Sequence, residues 1–102
     1  MAGFLDKAKQ AVQMRGEMKQ IQGALAKVEI EYTAGGGKVK VVACADMTIK
    51  RIEIDPRSID PAKADRMTEL IVAGVNGALR TAKKKAASEM SKMSGSLGGL
   101  LG

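Results

Sequence analysis

Basic side chains are the residues of this sequence best suited to binding chemistry. One set lies near the C-terminus, where Glu89 is the nearest acidic residue: Arg80, Lys83, Lys84, Lys85 and Lys92. A second set lies near the N-terminus, beside Asp6 and Glu17: Lys7, Lys9, Arg15 and Lys19. Ammonium groups bind phosphate oxygens as point charges, and guanidinium groups bind them as forked donors. Although any single lysine more often belongs to a solvated helix face, the two sets together predict a phosphate-binding surface.

The charge of the whole chain favours a polyanionic partner. The sequence has 17 Lys and Arg against 11 Asp and Glu, which gives a net charge of +6. Nucleic acid and an anionic membrane surface both fit this excess. No aromatic residue lies within the basic sets to stack on unpaired bases, which favours duplex over single strands. The apolar stripe of the long second helix, beside the C-terminal set, is Ala-rich and lacks Trp and Phe, which argues against membrane attachment.

Catalytic and metal-binding residues are scarce. There is no histidine and one cysteine, so Cys/His zinc sites and His-activated nucleophiles are excluded. Asp55, Asp60 and Asp65 could form a carboxylate cluster, but Asp55 and Asp60 each precede a proline, where turn and capping roles are commoner. We therefore expect no catalysis, no metal, no cofactor and no small-molecule substrate.

The cysteine count and the N-terminus also bear on location. Cys44 has no second cysteine to pair with, and the first residues lack the pattern of a signal peptide. No apolar run approaches the ~20 residues that cross a bilayer. These features predict a cytoplasmic protein.

Two helices must position the basic residues. Apolar residues over 4–27 recur at spacings of three, four and seven: Phe4, Ala11, Met14, Met18, Ile21 and Leu25. A second helix over about 61–92, with Asp60 as N-cap and Pro61 at its first position, has an apolar stripe within an arc of about 140°. That stripe comprises Met67, Ile71, Val72, Val75, Ala78, Leu79, Ala82, Ala86, Met90 and Met93.

Between the helices the sequence predicts three antiparallel strands, over about 28–33, 38–44 and 47–54. The segment Gly35–Gly37 joins two alternating runs, which favours a β-hairpin over a phosphate-binding loop. Ile49 is out of phase with Ile52 and Ile54, which indicates a bulge near Lys50 and Arg51. The fold class is therefore α+β, with the order α-β-β-β-α and a three-stranded meander.

The last helix is too long for the sheet that it must cover. About 30 residues span about 45 Å, whereas the strands span only about 25 Å. Its C-terminal half therefore overhangs and needs a partner, either the first helix or a second subunit. Antiparallel packing of the two helices would bring Lys7 and Lys9 near Lys83–Lys92 and make a basic arm.

The core of a single copy is thin, since the chain is short and nearly without aromatic residues, and dimerisation would enlarge it. We assign the dimer core to six apolar residues: Met18, Ile21, Leu25, Ile71, Val75 and Leu79. The methionines Met14, Met18, Met67, Met90 and Met93 favour core packing over an adaptable peptide-binding groove, although an adaptor that uses Met-lined helices is the alternative function. Residues 1–93 form one domain, and 94–102 are predicted to be a flexible Gly-rich tail.

Three motifs resemble the YbaB/EbfC family of bacterial nucleoid-associated proteins. They are Ala34-Gly35-Gly36-Gly37-x-Val39-Lys40-Val41, then Lys50-Arg51-Ile52-Glu53-Ile54-Asp55-Pro56, then Leu70-Ile71-Val72-Ala73-x-Val75-Asn76-x-Ala78-Leu79. The resemblance runs from the first helix to the Gly-rich tail. The chain departs from the family pattern at Gly16, at Gly23 and over 44–47.

The family resemblance implies an assembly, a ligand and a location that the residues alone do not determine. It implies an intertwined homodimer whose protruding helices resemble tweezer arms. It also implies binding of double-stranded DNA with weak or no sequence preference, and a location at the bacterial nucleoid.

Overall fold

The computed structural model describes the backbone from Ala2 to Leu101 and the side chains from Gly3 to Met93. It has the predicted order of helix, three strands and helix. The elements are α1 (Ala2–Ala26), β1 (Glu29–Ala34), β2 (Val39–Cys44), β3 (Ile49–Ile54) and α2 (Ala64–Leu101). Two short 3-10 turns, Pro56–Ser58 and Pro61–Lys63, connect β3 to α2.

The sheet is an antiparallel meander in the order β1-β2-β3. Its register places Ile30 opposite Ala43, and Val39 lies between Ala34 and Ile54. Since side chains alternate between the two faces of a strand, one apolar face forms and packs against α2. The buried core is made by Ile30, Val39, Val41, Ala43, Ala78 and Ala82.

The predicted bulge is present in β3. Val42 lies opposite Arg51, while the next residue, Ala43, lies opposite Ile49, so Lys50 is the additional residue. A bulge shifts the alternation of side chains by one position. Ile49 therefore packs against the core together with Ile54, although the sequence has them out of phase.

The segment Gly35–Gly37 forms the hairpin turn between β1 and β2. All three glycines have positive φ values, of 63°, 67° and 94°. Side-chain-bearing residues rarely adopt this region. The hairpin interpretation of the triple glycine is therefore confirmed.

Small residues allow α2 to approach the sheet closely. Gly74 and Gly77 are buried, and a Cβ atom built on Gly74 would lie 3.0 Å from Cγ2 of Val41. A Cβ atom on Gly77 would overlap the ring of Tyr32. The helix therefore fits against Tyr32 and Val41 because these two positions lack side chains.

The predicted start of the last helix is wrong by three residues. Pro61–Lys63 forms a 3-10 turn, and α2 begins at Ala64. The Asp60 carboxylate accepts a hydrogen bond from the backbone N–H of Ala62 at 3.0 Å, and Asp55 accepts one from the N–H of Arg57 at 3.0 Å. The capping roles of both aspartates are thus confirmed, but each caps a 3-10 turn.

The predicted end of the last helix, near residue 92, is also wrong, because α2 continues to Leu101. The segment 94–101 is part of this helix. The side chains of 94–102 lie outside the described residues. The flexibility of this tail therefore stays a prediction.

Among the residues whose side chains are described, most of α1 is exposed to solvent. Phe4 is 77% exposed, Met14 63% and Met18 60%, whereas Leu25 is buried. Met67 and Met93 are half-buried, but Met90 is exposed. Met14, Met18 and Met90 therefore do not fill the core of a single copy, and their packing in a dimer stays a prediction.

Candidate nucleic-acid interface

Three basic side chains on α2 share one exposed surface, which we call the arm cluster: Arg80, Lys83 and Lys84. At ~100° per residue they fall within an arc of about 100°, and they span about 6 Å of the helix axis. Among residues 3–93, none of their charged groups has a carboxylate within 4.0 Å. The arm cluster therefore presents uncompensated positive charge to solvent.

Lys85 and Lys92 are placed differently from the arm cluster. Both ammonium groups contact Oε1 of Glu89, at 3.5 and 3.6 Å. On the helix they lie roughly 100° or more away from the centre of the arm cluster. One carboxylate therefore offsets part of their charge, and they form a second, weaker basic patch on α2.

The arm cluster lies where α2 leaves the sheet. Ala78 and Ala82 are fully buried against the sheet, on the other side of the helix. Beyond Ala82, α2 continues for about 28 Å at ~1.5 Å per residue. The molecule is accordingly elongated, with extents of 69 × 29 × 15 Å. The predicted overhang is present.

The basic residues of α1 are exposed but do not share one face. Lys7, Lys9, Arg15 and Lys19 are all exposed. At ~100° per residue they spread over roughly 200° of the helix. A duplex lying along one side of α1 would therefore contact only part of this set.

The structure does not bring Lys7 and Lys9 to the basic residues of α2. Gln22 and Leu25 share a groove with Ala86, so the C-terminal end of α1 is the part beside α2. Lys7 lies about 27 Å before Leu25 along the helix axis. The prediction that Lys7 and Lys9 lie near Lys83–Lys92 is therefore wrong. The reason is that the short connection to β1 keeps the C-terminal end of α1 next to the sheet. Lys19, about 9 Å from Leu25, is the nearest basic residue of the set.

The outer face of the sheet is a poor phosphate-binding surface. Lys40 lies 3.4 Å from Glu31 and 3.6 Å from Glu53, and Arg51 also pairs with Glu53 at 3.3 Å. The hydrogen bond that Lys50 donates to Glu29 lowers the pKa of that carboxyl group. Each cation on this face thus has a carboxylate partner.

The six residues assigned to a dimer core are buried to different degrees in the single chain. Leu25 is buried, Met18 is exposed, and the others are half-buried: Ile21, Ile71, Val75 and Leu79. The single chain therefore leaves much of this apolar set open.

Two other kinds of site find no support in the described residues. Across them, no three His, Cys, Asp or Glu side chains gather as metal ligands. Nor is any helix within that part of the chain long and apolar enough to cross a membrane.

The sequence of the chain matches the model of the YbaB/EbfC DNA-binding family over residues 1–97. The chain belongs to this family. One relative is a nucleoid-associated protein of Acetivibrio thermocellus, which is 43% identical over 92% of this chain and 83% of that protein. A nucleoid-associated protein of Afipia carboxidovorans is 38% identical over 95% of this chain and 92% of that protein.

A solved structure shares the fold of this YbaB/EbfC chain. It is the crystal structure of an uncharacterized Helicobacter pylori protein, with a TM-score of 0.67 and 15% sequence identity. The match covers 84% of this chain and 90% of the other. The α-β-β-β-α arrangement is thus one that a solved protein adopts.

Sequence reasoning missed one set of basic residues. Lys38, Lys63 and Arg66 line a common groove at the start of α2. They come from three separate segments, so no spacing in the sequence indicates that they meet. The only signal was the position of Arg66 on the polar face of the predicted helix, about 40° or less from Arg80 and Lys84.

Proposed function

We propose that this chain binds double-stranded DNA as a homodimer, chiefly through phosphate contacts made by the arm cluster. The observation that carries the proposal is the uncompensated charge of Arg80, Lys83 and Lys84 where α2 leaves its sheet. Membership of a family described as DNA-binding supports the choice of DNA as the polyanion. The names of the relatives support a location at the nucleoid.

Low sequence specificity follows from the residue types. Phosphate contacts position a protein on the duplex, while contacts to base edges carry sequence information. Lysine predominates in both basic sets, and its flexible ammonium group suits phosphate oxygens. We therefore infer that the protein binds many duplex sequences with similar affinity.

The dimer is inferred from the apolar surface of α1. Met14 and Met18 lie on one side of the helix, and Leu5 and Val12 lie on another, at 65% and 70% exposure. Exposed apolar area of this kind marks an interaction surface. A second copy of the chain would cover it by an isologous contact, in which the same surface serves both partners. Each dimer would then present two arm clusters.

A charge-removal experiment tests the arm cluster. The triple variant R80Q/K83Q/K84Q should bind a duplex about tenfold or more weakly, because it loses three phosphate-binding charges per chain. The matched control is K40Q/K50Q/R51Q, which has the same net charge but loses cations that already have glutamate partners. Fluorescence anisotropy on a labelled duplex measures both. Equal losses in the two variants would remove the arm cluster from the proposal.

The alternative function is a protein adaptor, and the exposure of Met14, Met18 and Met90 favours it. In that case the arm-cluster variant would retain its partner. A pull-down that recovers one stoichiometric protein and survives nuclease treatment would support the adaptor over DNA binding.

A further inference from the structure

Another basic surface, separate from the arm cluster and from Lys85 and Lys92, lies at the start of α2. Along the helix axis, Arg66 on this surface is about 21 Å from Arg80. It is a groove of about 350 Å³, at the lower end of the size range of small-molecule sites. We call it the base groove. Its lining residues are Lys38, Ser58, Lys63, Arg66, Met67 and Leu70.

Ordered backbone holds these residues together. Lys38 ends the hairpin turn, and its carbonyl oxygen accepts a hydrogen bond from the N–H of Asp55 at 2.9 Å. Ser58 and Lys63 belong to the two 3-10 turns, whose first N–H groups are capped by Asp55 and Asp60. Arg66 lies in the first turn of α2. The base groove is therefore supported by three segments whose positions depend on one another.

The charge of the base groove is uncompensated. None of its lining residues is acidic, and among residues 3–93 no carboxylate lies within 4.0 Å of the charged groups of Lys38, Lys63 or Arg66. Nearby Asp55 is engaged by Arg57, at 3.2 Å from the guanidinium group. Asp60 accepts from the backbone, and Asp65 does not line the groove. Three cations around one concavity repel one another, and a bound anion would relieve that repulsion.

We propose that the base groove binds a phosphate group. Lys38, Lys63 and Arg66 supply charge, and the hydroxyl of half-buried Ser58 supplies a neutral donor. Met67 and Leu70 are half-buried and offer an apolar floor for the group that carries the phosphate. Two sources share this chemistry: a phosphodiester of a DNA backbone and a free phosphorylated small molecule. The proposal does not depend on the arm cluster.

Titration with inorganic phosphate, followed by amide NMR, tests the base groove directly. At constant ionic strength, phosphate should give saturable shifts at Lys38, Ser58 and the start of α2. The variant K63Q/R66Q should bind phosphate about tenfold or more weakly, since two of three charges are lost. The variant K50Q/R51Q loses equal charge on the outer face of the sheet and should bind like the original protein.

Two results would overturn the proposal. One is phosphate-induced shifts that do not saturate or that scatter over all basic segments. The other is an equal loss of phosphate binding in K63Q/R66Q and K50Q/R51Q. R80Q/K83Q/K84Q should keep the saturable shifts, so failure of the arm cluster and failure of the base groove are separate results.

A duplex titration distinguishes the two sources once phosphate binding is established. If the base groove holds a DNA phosphodiester, K63Q/R66Q also binds the duplex more weakly and with a shallower salt dependence. If it holds a free phosphorylated molecule, K63Q/R66Q loses phosphate binding and keeps its duplex affinity.

Discussion

At Gly77, the absence of a side chain determines how α2 meets the sheet. The variant Gly77→Ala should destabilise the protein, because overpacking against Tyr32 costs about 1–3 kcal/mol. This cost works against a gain of roughly 1 kcal/mol in helix propensity. Urea unfolding measures the difference.

The control for this variant is Gly16→Ala. Gly16 is also helical, but within the single chain a Cβ atom there would have nothing within 4 Å. That variant should therefore be more stable, by up to about 1 kcal/mol. A Gly77→Ala protein that gains stability like Gly16→Ala would contradict the close packing on Tyr32.

The contribution of the Asp55 side chain to the stability of the fold depends on pH. Hydrogen bonds from the Arg57 side chain and then from its backbone N–H lower the pKa of the Asp55 carboxyl group. Because the pKa of Asp55 is lowered in the folded protein, the ionised carboxylate stabilises the fold. This stabilisation is present above the ordinary pKa of aspartate and is lost as pH falls through the lowered value.

The variant Arg57→Gln should raise the pKa of Asp55 towards its ordinary value. The pKa of Glu29, which depends chiefly on Lys50, should not change. Carbon-detected NMR titration of the carboxyl groups measures both. An unchanged Asp55 pKa would show that the Arg57 side chain does not determine it.

Within α2, Glu89 offsets part of the positive charge of the second basic patch, which consists of Lys85 and Lys92. Glu89→Gln should release Lys85 and Lys92 from their shared carboxylate and, by removing one negative charge, raise the net charge by one. We expect duplex affinity to rise about two- to tenfold, with a salt slope steeper by up to ~1. Fluorescence anisotropy at several salt concentrations measures this. Unchanged or weaker binding would exclude these lysines from the DNA contact.

The elements that could be predicted depend on local signals. Alternation and the triple glycine define the strands and hairpin, and a change of phase marks the bulge at Lys50. Helical phase alone places Arg80, Lys83 and Lys84 on one surface. The start of α2 could not be predicted as well, because Pro61 suits the first turn of both a 3-10 helix and an α-helix.

The features that could not be predicted depend on distant contacts. Gly77 matters because Tyr32, from another strand, lies against it. The position of Lys7 relative to α2 depends on where Leu25 packs. The base groove joins three segments, so Lys38, Lys63 and Arg66 carry no common sequence signal.

The exposed apolar side of α1 predicts that the protein is a dimer. Sedimentation equilibrium should give about twice the chain mass of 10.7 kDa. Val12→Glu should shift the mass towards one chain, since it places a charge in the proposed interface. Ile59→Glu, at a position that is 59% exposed near the base groove, should remain dimeric. A monomeric original protein, or equal effects of the two variants, would contradict this interface.

Binding of duplex DNA through phosphate contacts should be visible in the salt dependence of the binding constant K. Neutralising about six phosphates per dimer predicts that log K falls with log salt with a slope near −5. Duplexes of unrelated sequence should give similar affinities and slopes. Binding that is independent of salt would show that phosphate contacts do not hold the duplex.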